Sequence, residues 1–465
     1  MQNVSQWLYG RSPVPLQTLL LNGYAAKMHR RQFTRKFAEQ LEKLMESQWW
    51  SHDQLKSYQD ERVQAIIKHA WTFVPYYRRL MKERNLAPSD IKNVSDLWKL
   101  PILTRDVVRR YHRALISERS SRWTLIHGHT SGTTGSPLQF VWDRHTCIVN
   151  NALDWRQKHW AGLKYGDPFA VLLGRMIVPQ ETNKTPFWRM NYLHNQLWLS
   201  SFHMNSDNLP HYIKKLTEFR PIALEGYPST IYILARYLES RGEKFPLRAV
   251  LTSSEPLLPS HRELMESVFE CKVFDFYSLA ERVIFATECD HHTGHHLNLE
   301  YGITEVVDEN NLPCSPGKLG RLVCTSLHNY AMPFIRYQTS DITALKKEAC
   351  SCGRVFPLLE SIVTKDEDII VAPDGRLISP SVITHIFKPL HHVVESQVIQ
   401  EDIQNIRVNL VTDERYNHED TRHLIQGFRE RVGNEVRVRV EFVDKIQRTS
   451  AGKCRWVISK VALPF

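Results

Sequence analysis

Thr130-Ser131-Gly132-Thr133-Thr134-Gly135-Ser136-Pro137 lies between two strand-like runs and is the stretch on which the reading of this chain turns. It combines hydroxyl side chains with backbone amides in a turn, the equipment needed to hold triphosphate oxygens while an α-phosphorus is attacked. The same residue types also build ordinary hairpin turns, so the stretch by itself reads equally as a phosphate loop or a turn. A Walker loop is excluded, because no Gly-Lys-Ser or Gly-Lys-Thr occurs at the required spacing.

Three further stretches follow in order. Tyr277-Ser278-Leu279-Ala280-Glu281 comes after a predicted strand, Lys272 to Phe276. It sets an aromatic ring, suited to a purine face, four residues before a carboxylate suited to a hard cation such as magnesium. Arg336-Tyr337-Gln338-Thr339-Ser340-Asp341 ends on a second carboxylate. Arg448-Thr449-Ser450-Ala451-Gly452-Lys453 presents a lysine after a glycine turn. Taken singly, each has a plain structural reading: a core tyrosine, a turn aspartate, an exposed lysine.

Together the four stretches resemble the signatures of the adenylate-forming enzymes, T-S-G-T-T-G-x-P, Y-G-x-T-E, Y-R-T-G-D and the C-terminal lysine motif. The resemblance covers nearly the whole chain. It implies that Thr130, Ser131, Gly132, Thr133, Thr134 and Gly135 hold the phosphates of ATP. It also implies that Tyr277 and Ser278 lie against adenine, that Glu281 binds Mg2+, that Asp341 binds the ribose hydroxyls, and that Lys453 reaches the carboxylate and the α-phosphate. Ser278, Ala280, Gln338 and Ser340 depart from the commonest residues of these motifs.

Trp49-Trp50, Tyr58-Gln59-Asp60-Glu61-Arg62, Val74-Pro75-Tyr76-Tyr77 and Ala331-Met332-Pro333-Phe334 resemble the phenylacetate-CoA ligase branch, particularly its CapK-like members named from capsule gene clusters. Where that branch carries a Gly-Arg-x-Asp-Asp hinge, this chain has Thr364-Lys365-Asp366-Glu367-Asp368. Lys365 keeps the arginine's charge without its bidentate geometry. Glu225-Gly226-Tyr227-Pro228-Ser229 and Ser253-Ser254-Glu255-Pro256 each follow a predicted strand. Loops at strand C-termini are where open α/β sheets bind ligands, which makes Tyr227 and Ser254 candidate walls of the acid pocket.

Working outward, 465 residues exceed one ordinary core, so two domains are expected. Helical periodicity fills the start of the chain, as in Phe33 to Ser47 and Asp53 to Val74, and from Trp123 short apolar runs alternate with helical stretches. After His296 the pattern becomes strand-rich. The expected fold is α/β: a large multi-layered N-terminal domain of adenylate-forming type, residues 1–364, and a small mobile α+β C-terminal domain, residues 365–465. Within the first, residues 1–120 form the helical start and residues 121–364 the α/β core and strand-rich part.

Cys289, His291, His292, His295 and His296 lie close in sequence, and Cys350 and Cys352 follow farther on. Thiolates and imidazoles in paired clusters suit tetrahedral Zn2+, and some members of the branch bind zinc in such a pattern. Cys289, His292, Cys350 and Cys352 form the expected structural site, with His292 preferred for its Cys-x-x-His spacing and His296 as the alternative.

The net charge is +10, and Arg30, Arg31, Arg35, Lys36 and Lys43 cluster on one helical pattern. No nucleic-acid module accompanies them, so a solvated helix face is the expected reading. Val14 to Ala26 is interrupted by Gln17, Thr18, Asn22 and Gly23, too short and too polar to span a bilayer. No secretory leader pattern is present, which gives a cytoplasmic location by default. Eight dispersed cysteines point to reduced thiols rather than a disulfide scaffold.

The expected function is ATP-dependent activation of a carboxylic acid to an acyl-adenylate with release of pyrophosphate, followed by transfer to coenzyme A; the branch suggests a link to capsule or surface polysaccharide. Two alternatives remain: an adenylyltransferase serving a non-CoA acceptor, and a nucleotide-binding protein without turnover.

Overall fold

Helices Val14–Gln32, Arg35–Ser47, His52–Phe73 and Pro75–Glu83 follow one another in the first part of the chain. The third begins at a capping box, in which Ser51 Oγ accepts from the Gln54 N–H and the Gln54 side chain accepts from the Ser51 N–H. The structure is a computed structural model and describes residues 9–121, 123–130, 138–179, 181–360, 362, 369–378, 380–387, 389–390, 392–446 and 456–461.

Val14–Gln32 buries Gln17 along with Leu21 and Ala25. Gln17 is buried and accepts from the buried Arg189 guanidinium, while Asn22 donates to the Met190 carbonyl and accepts from the Tyr192 N–H. Two of the residues that interrupt this stretch as a span, Gln17 and Asn22, thus help dock it on the edge of the main sheet. Leu16, Leu19 and Leu20 are left exposed. Among the described residues no helix is long and apolar enough to cross a membrane.

The main sheet has nine strands. Its order is Leu358–Leu359, His295–Leu297, Phe285–Glu288, Lys272–Ser278, Ala249–Ser253, Ala223–Gly226, Phe169–Leu172, Gln196–Leu199 and Trp188–Asn191. Neighbours from Lys272–Ser278 to Gln196–Leu199 run parallel and the flanking pairs antiparallel. Arg35–Ser47 and Arg144–Trp160 pack on one face through Phe37, Leu44, Ile148 and Leu153, against Leu251 and Phe274. Leu209–Phe219, Pro228–Ser240 and Pro259–Phe269 cover the other face, against Leu224, Val250 and Val273. Parallel strands buried on both faces give the continuous apolar runs seen in the sequence.

A three-stranded antiparallel sheet, Gly302–Val307, Gly320–Ser326 and Tyr337–Thr343, packs with the helical start in a second core. The sequence pattern places its last strand at Thr343 to Leu345; the strand instead begins at Tyr337, with Tyr337 and Thr339 buried and Gln338 half-buried between them. The apolar run Trp123 to Ile126 also reads as a strand in the sequence; the strand instead spans Ile126–His129, paired with Gln139–Trp142.

A four-stranded sheet follows in the order Arg437–Phe442, Asn405–Thr412, Val393–Gln400 and Val457–Ser459, covered by helices Pro380–Phe387 and His418–Val432. This is the expected small α+β unit. The boundary assigned to residue 364 lies outside the described residues. The hairpin of Ile370–Val371 and Leu377–Ile378 is seated on the N-terminal body, its Leu377 N–H donating to the Met204 carbonyl at 2.6 Å.

Candidate active site

Thr130 and Leu138 clamp the ends of the phosphate-loop stretch. The Thr130 N–H donates to the Leu138 carbonyl at 3.0 Å, and the Leu138 N–H returns a bond to Thr130 Oγ1 at 2.9 Å. Ser131, Gly132, Thr133, Thr134 and Gly135 lie outside the described residues, as do Lys365 and Lys453.

Arg105 approaches the clamp from outside the motifs, its Nη2 donating to Thr130 Oγ1 at 3.1 Å. Its position follows from two backbone bonds, the Leu103 N–H to the Arg336 carbonyl and the Gln338 N–H to the Leu103 carbonyl. These lay the segment before Arg105 along the start of strand Tyr337–Thr343. Thr104 then caps the short helix Arg105–Arg110, its hydroxyl accepting from the Val107 N–H. Nothing local in the sequence marks Arg105, because its partners are distant along the chain.

Strand Lys272–Ser278 delivers Tyr277 and Ser278 at its C-terminal end, and Glu281 follows in the turn. Glu281 is 5% exposed, and Tyr337 Oη donates to its Oε1 at 2.7 Å. Burial pushes this carboxyl above its ordinary range, against the opposing pull of the Arg105 charge and the Tyr337 hydroxyl. Tyr277 Oη donates to Asp341 Oδ2 at 2.6 Å. Burial, then the Asp341 charge, raises the Tyr277 hydroxyl well above the usual phenol range, so it remains a donor. Ser278 is half-buried and pairs with Phe285 across the sheet.

Arg336, the first residue of the stretch that ends at Asp341, serves the fold. At φ +51 it directs a bidentate pair onto Glu305 at 2.9 and 3.1 Å and donates to the Leu100 carbonyl. The motif therefore anchors itself with Arg336, meets Glu281 through Tyr337, and meets Tyr277 through Asp341.

Tyr227 and Ser254 stand farther along the same sheet edge. Tyr227 precedes helix Pro228–Ser240, and a Cβ at Gly174 would fall 3.1 Å from its ring and hydroxyl. Ser254, at φ +72, is exposed. The two loops are joined by Glu255, which accepts from the Ser229 N–H at 3.1 Å. A cavity of about 160 Å³ lies nearby, but its lining includes Glu225, two residues before Tyr227, and neither Tyr227 nor Ser254. Glu225 points to the face covered by Arg144–Trp160, where it meets Lys158, whereas Tyr227 lies beyond the end of strand Ala223–Gly226.

Cys289, His296, Cys350 and Cys352 converge, with all four ligand atoms within 4.8 Å of one another. Cys289 Sγ lies 3.7 Å from Cys350 Sγ and 3.3 Å from His296 Nε2, and Cys352 Sγ lies 3.6 Å from His296 Nε2. His292, preferred from its spacing, is not among them. It occupies the turn at φ +50, its ring 4.7 Å from that of Phe274 and its Nδ1 3.6 Å from Glu288. The hairpin register makes the choice. His295 and His296 pair with Glu288 and Thr287, so their side chains take opposite faces, His295 toward Asp275 at 2.9 Å and His296 toward the thiols.

The model of the CapK C-terminal domain matches residues 370–460. Protein CapK of Staphylococcus aureus is 27% identical over 465 residues, covering 98% of this chain and 99% of that protein. The phenylacetate-coenzyme A ligase of Thermus thermophilus is 26% identical over 353 residues, covering 74% and 77%. The chain is a homologue of CapK and of the phenylacetate-coenzyme A ligases.

With CapK the likeness runs nearly end to end, whereas with the Thermus ligase about a quarter of this chain is unmatched. Among solved structures, 2-hydroxyisobutyryl-CoA ligase in complex with 2-HIB-AMP and CoA superposes with a TM-score of 0.57 at 22% identity, covering 88% of this chain and 91% of that one. The fold is that of the adenylate-forming ligases.

Proposed function

We propose that the chain activates a carboxylic acid as its acyl-adenylate and transfers the acyl group to coenzyme A. The observation that carries this reading is the convergence of Thr130, Arg105, Glu281, Tyr337, Tyr277 and Asp341 by hydrogen bonds or charge at one end of a parallel sheet. The homologous ligases are named for phenylacetate and coenzyme A, and the acid-thiol ligase reading follows that kinship.

In the first step a carboxylate oxygen attacks the α-phosphorus of ATP and the bond to pyrophosphate breaks, so no general base is required. Thr130 and its loop orient the triphosphate, Arg105 faces charge on the phosphate side, and Asp341 accepts from the ribose hydroxyls with its orientation held by Tyr277. Lys453 is the cation assigned to the charge that builds at the transferring centre. The buried carboxylate of Glu281 is a hard oxygen donor that fits Mg2+, which would neutralise phosphate charge there. In the second step the thiol sulfur attacks the acyl carbon, AMP leaves, and the thiol proton passes to solvent. Lys365 belongs to the hinge assigned to the change between steps.

The sulfur and nitrogen separations fit one tetrahedral Zn2+. Zinc–sulfur bonds of about 2.3 Å place two thiolates about 3.8 Å apart, and Cys289 and Cys350 are 3.7 Å apart. Four protein ligands leave no open position, which makes this a structural site holding the hairpin of Phe285–Glu288 and His295–Leu297 to residues 350–352.

The altered hinge Thr364-Lys365-Asp366-Glu367-Asp368 favours a second reading, an adenylyltransferase with another acceptor. ATP–pyrophosphate exchange across aryl, fatty, amino and sugar acids, with thioester detection after coenzyme A is added, separates the two. Exchange with a thioester product supports the ligase, exchange without one supports the adenylyltransferase, and no exchange with any acid overturns both.

A further inference from the structure

The cavity on the Arg144–Trp160 side of the main sheet has an ionic floor and aromatic walls. Lys158 is 6% exposed, and its Nζ lies 2.7 Å from Asp154 Oδ2 and 3.2 Å from Glu225 Oε2. Trp155 stands 5.5 Å from the Lys158 ammonium, measured to the ring centre. Trp198 forms a second wall, with the Arg175 guanidinium 5.4 Å over its ring at the rim.

The cavity lies toward the C-terminal ends of the strands, the end of the sheet at which Tyr277 stands, on the face that Phe276 takes and opposite the one that Tyr277 takes. Glu225 pairs with Leu251, Leu251 with Phe274, and Ser253 with Phe276, the residue before Tyr277. Adjacent strands lie about 4.8 Å apart, so the floor is about 10 Å across the sheet from the strand that carries Tyr277. Tyr227, near Arg175 and beside Gly174, stands at the same strand ends.

The floor has more acceptors than donors. One ammonium offers three protons, while two carboxylates present four oxygens with two lone pairs each. A hydrocarbon or phenyl group seated on it would strip water from the carboxylates and replace none of those bonds. A group that donates hydrogen bonds would replace them, with its C–H face against the tryptophans.

We infer that the acid activated here carries hydrogen-bond donors, hydroxyl or amino groups, at the end remote from its carboxylate, and that Glu225 and Asp154 select for them. This deepens the proposed function and rests on it. Lys158 holds the two carboxylates in place, and Glu225 is the specificity-determining residue at the centre of the floor. Hydroxylated and amino acids share this chemistry and are separated by the test.

The test is ATP–pyrophosphate exchange with size-matched acids in three arms: hydroxylated, amino-bearing, and aryl or alkyl acids without distal donors. Sites built to hydrogen-bond a substrate group reject analogues lacking it by up to about 10⁵-fold. Here, in a cavity open on one side, kcat/KM should favour one donor-bearing arm over the third by about 100-fold or more. Glu225→Gln should shrink that ratio about tenfold, mainly through KM, because a neutral amide accepts more weakly than a carboxylate; Glu225→Leu should shift preference toward the third arm. An aryl or alkyl acid preferred by the wild type overturns the inference and leaves the ligase reading intact. A Glu225→Gln variant that melts lower but keeps the wild-type ratio also overturns it, as the triad is then structural. No exchange in any arm removes the ligase reading and the inference with it.

Discussion

Tyr277 and Asp341, 64 residues apart in sequence, share a 2.6 Å hydrogen bond from Tyr277 Oη to Asp341 Oδ2. The residue assigned to adenine thus orients the residue assigned to ribose, and the two candidates are held as one unit. Tyr277→Phe removes the donor and keeps the ring. A hydrogen bond to a charged group contributes about 1.5–3 kcal/mol, so ATP affinity measured by calorimetry should fall about 10-fold. Asp341→Ala should cost more, because it removes the acceptor for both ribose hydroxyls.

Arg105 is expected to act in the adenylation step. Arg105→Met should lower the pyrophosphate-exchange rate by about 10²-fold, the scale of one preorganised charge contact. Arg105→Lys should recover part of the loss. Unchanged thermal unfolding in both variants would locate the effect at the phosphates; a wild-type exchange rate in Arg105→Met would remove the residue from the site.

Glu281 carries a pH signature. Its carboxyl is raised by burial above the ordinary value of 4.5, so between the unfolded and folded values the folded chain keeps a proton that the unfolded chain has released. Stability from this group is present below 4.5 and is lost as pH rises through the folded value. Glu281→Gln should therefore gain Tm relative to wild type as pH rises through that window, while losing adenylation. A Tm difference that does not change with pH would contradict the assignment.

His296 and His292 give opposite expectations for the thiol cluster. Protein purified without a His tag should contain about one equivalent of zinc by metal analysis, since structural sites bind tightly. His296→Ala and Cys350→Ser should lose it and melt lower. His292→Ala should keep it; loss of metal in that variant alone would restore the choice made from spacing.

Lys453→Ala should abolish pyrophosphate exchange while leaving ATP binding measurable. Exchange at the wild-type rate would withdraw the lysine from the reaction.

Chemistry carried by consecutive residues was legible in the sequence. The Thr130 to Pro137 stretch, Tyr277 to Glu281 and Asp341 each span a few residues of chain, so a short pattern suffices to nominate them as a site. The alternation of apolar runs and helical stretches likewise announced the layered α/β body, because burial on both faces demands continuous apolar strands. The tertiary structure alone decided what depends on how distant segments meet: His296 rather than His292 among the thiols, Arg105 beside Thr130, and Glu225 beside Lys158 in a cavity that Tyr227 does not line. Each of these choices joins segments far apart in the chain, and which face a side chain takes changes with every single residue of strand. Sequence spacing does not record where one strand's pleat meets another's.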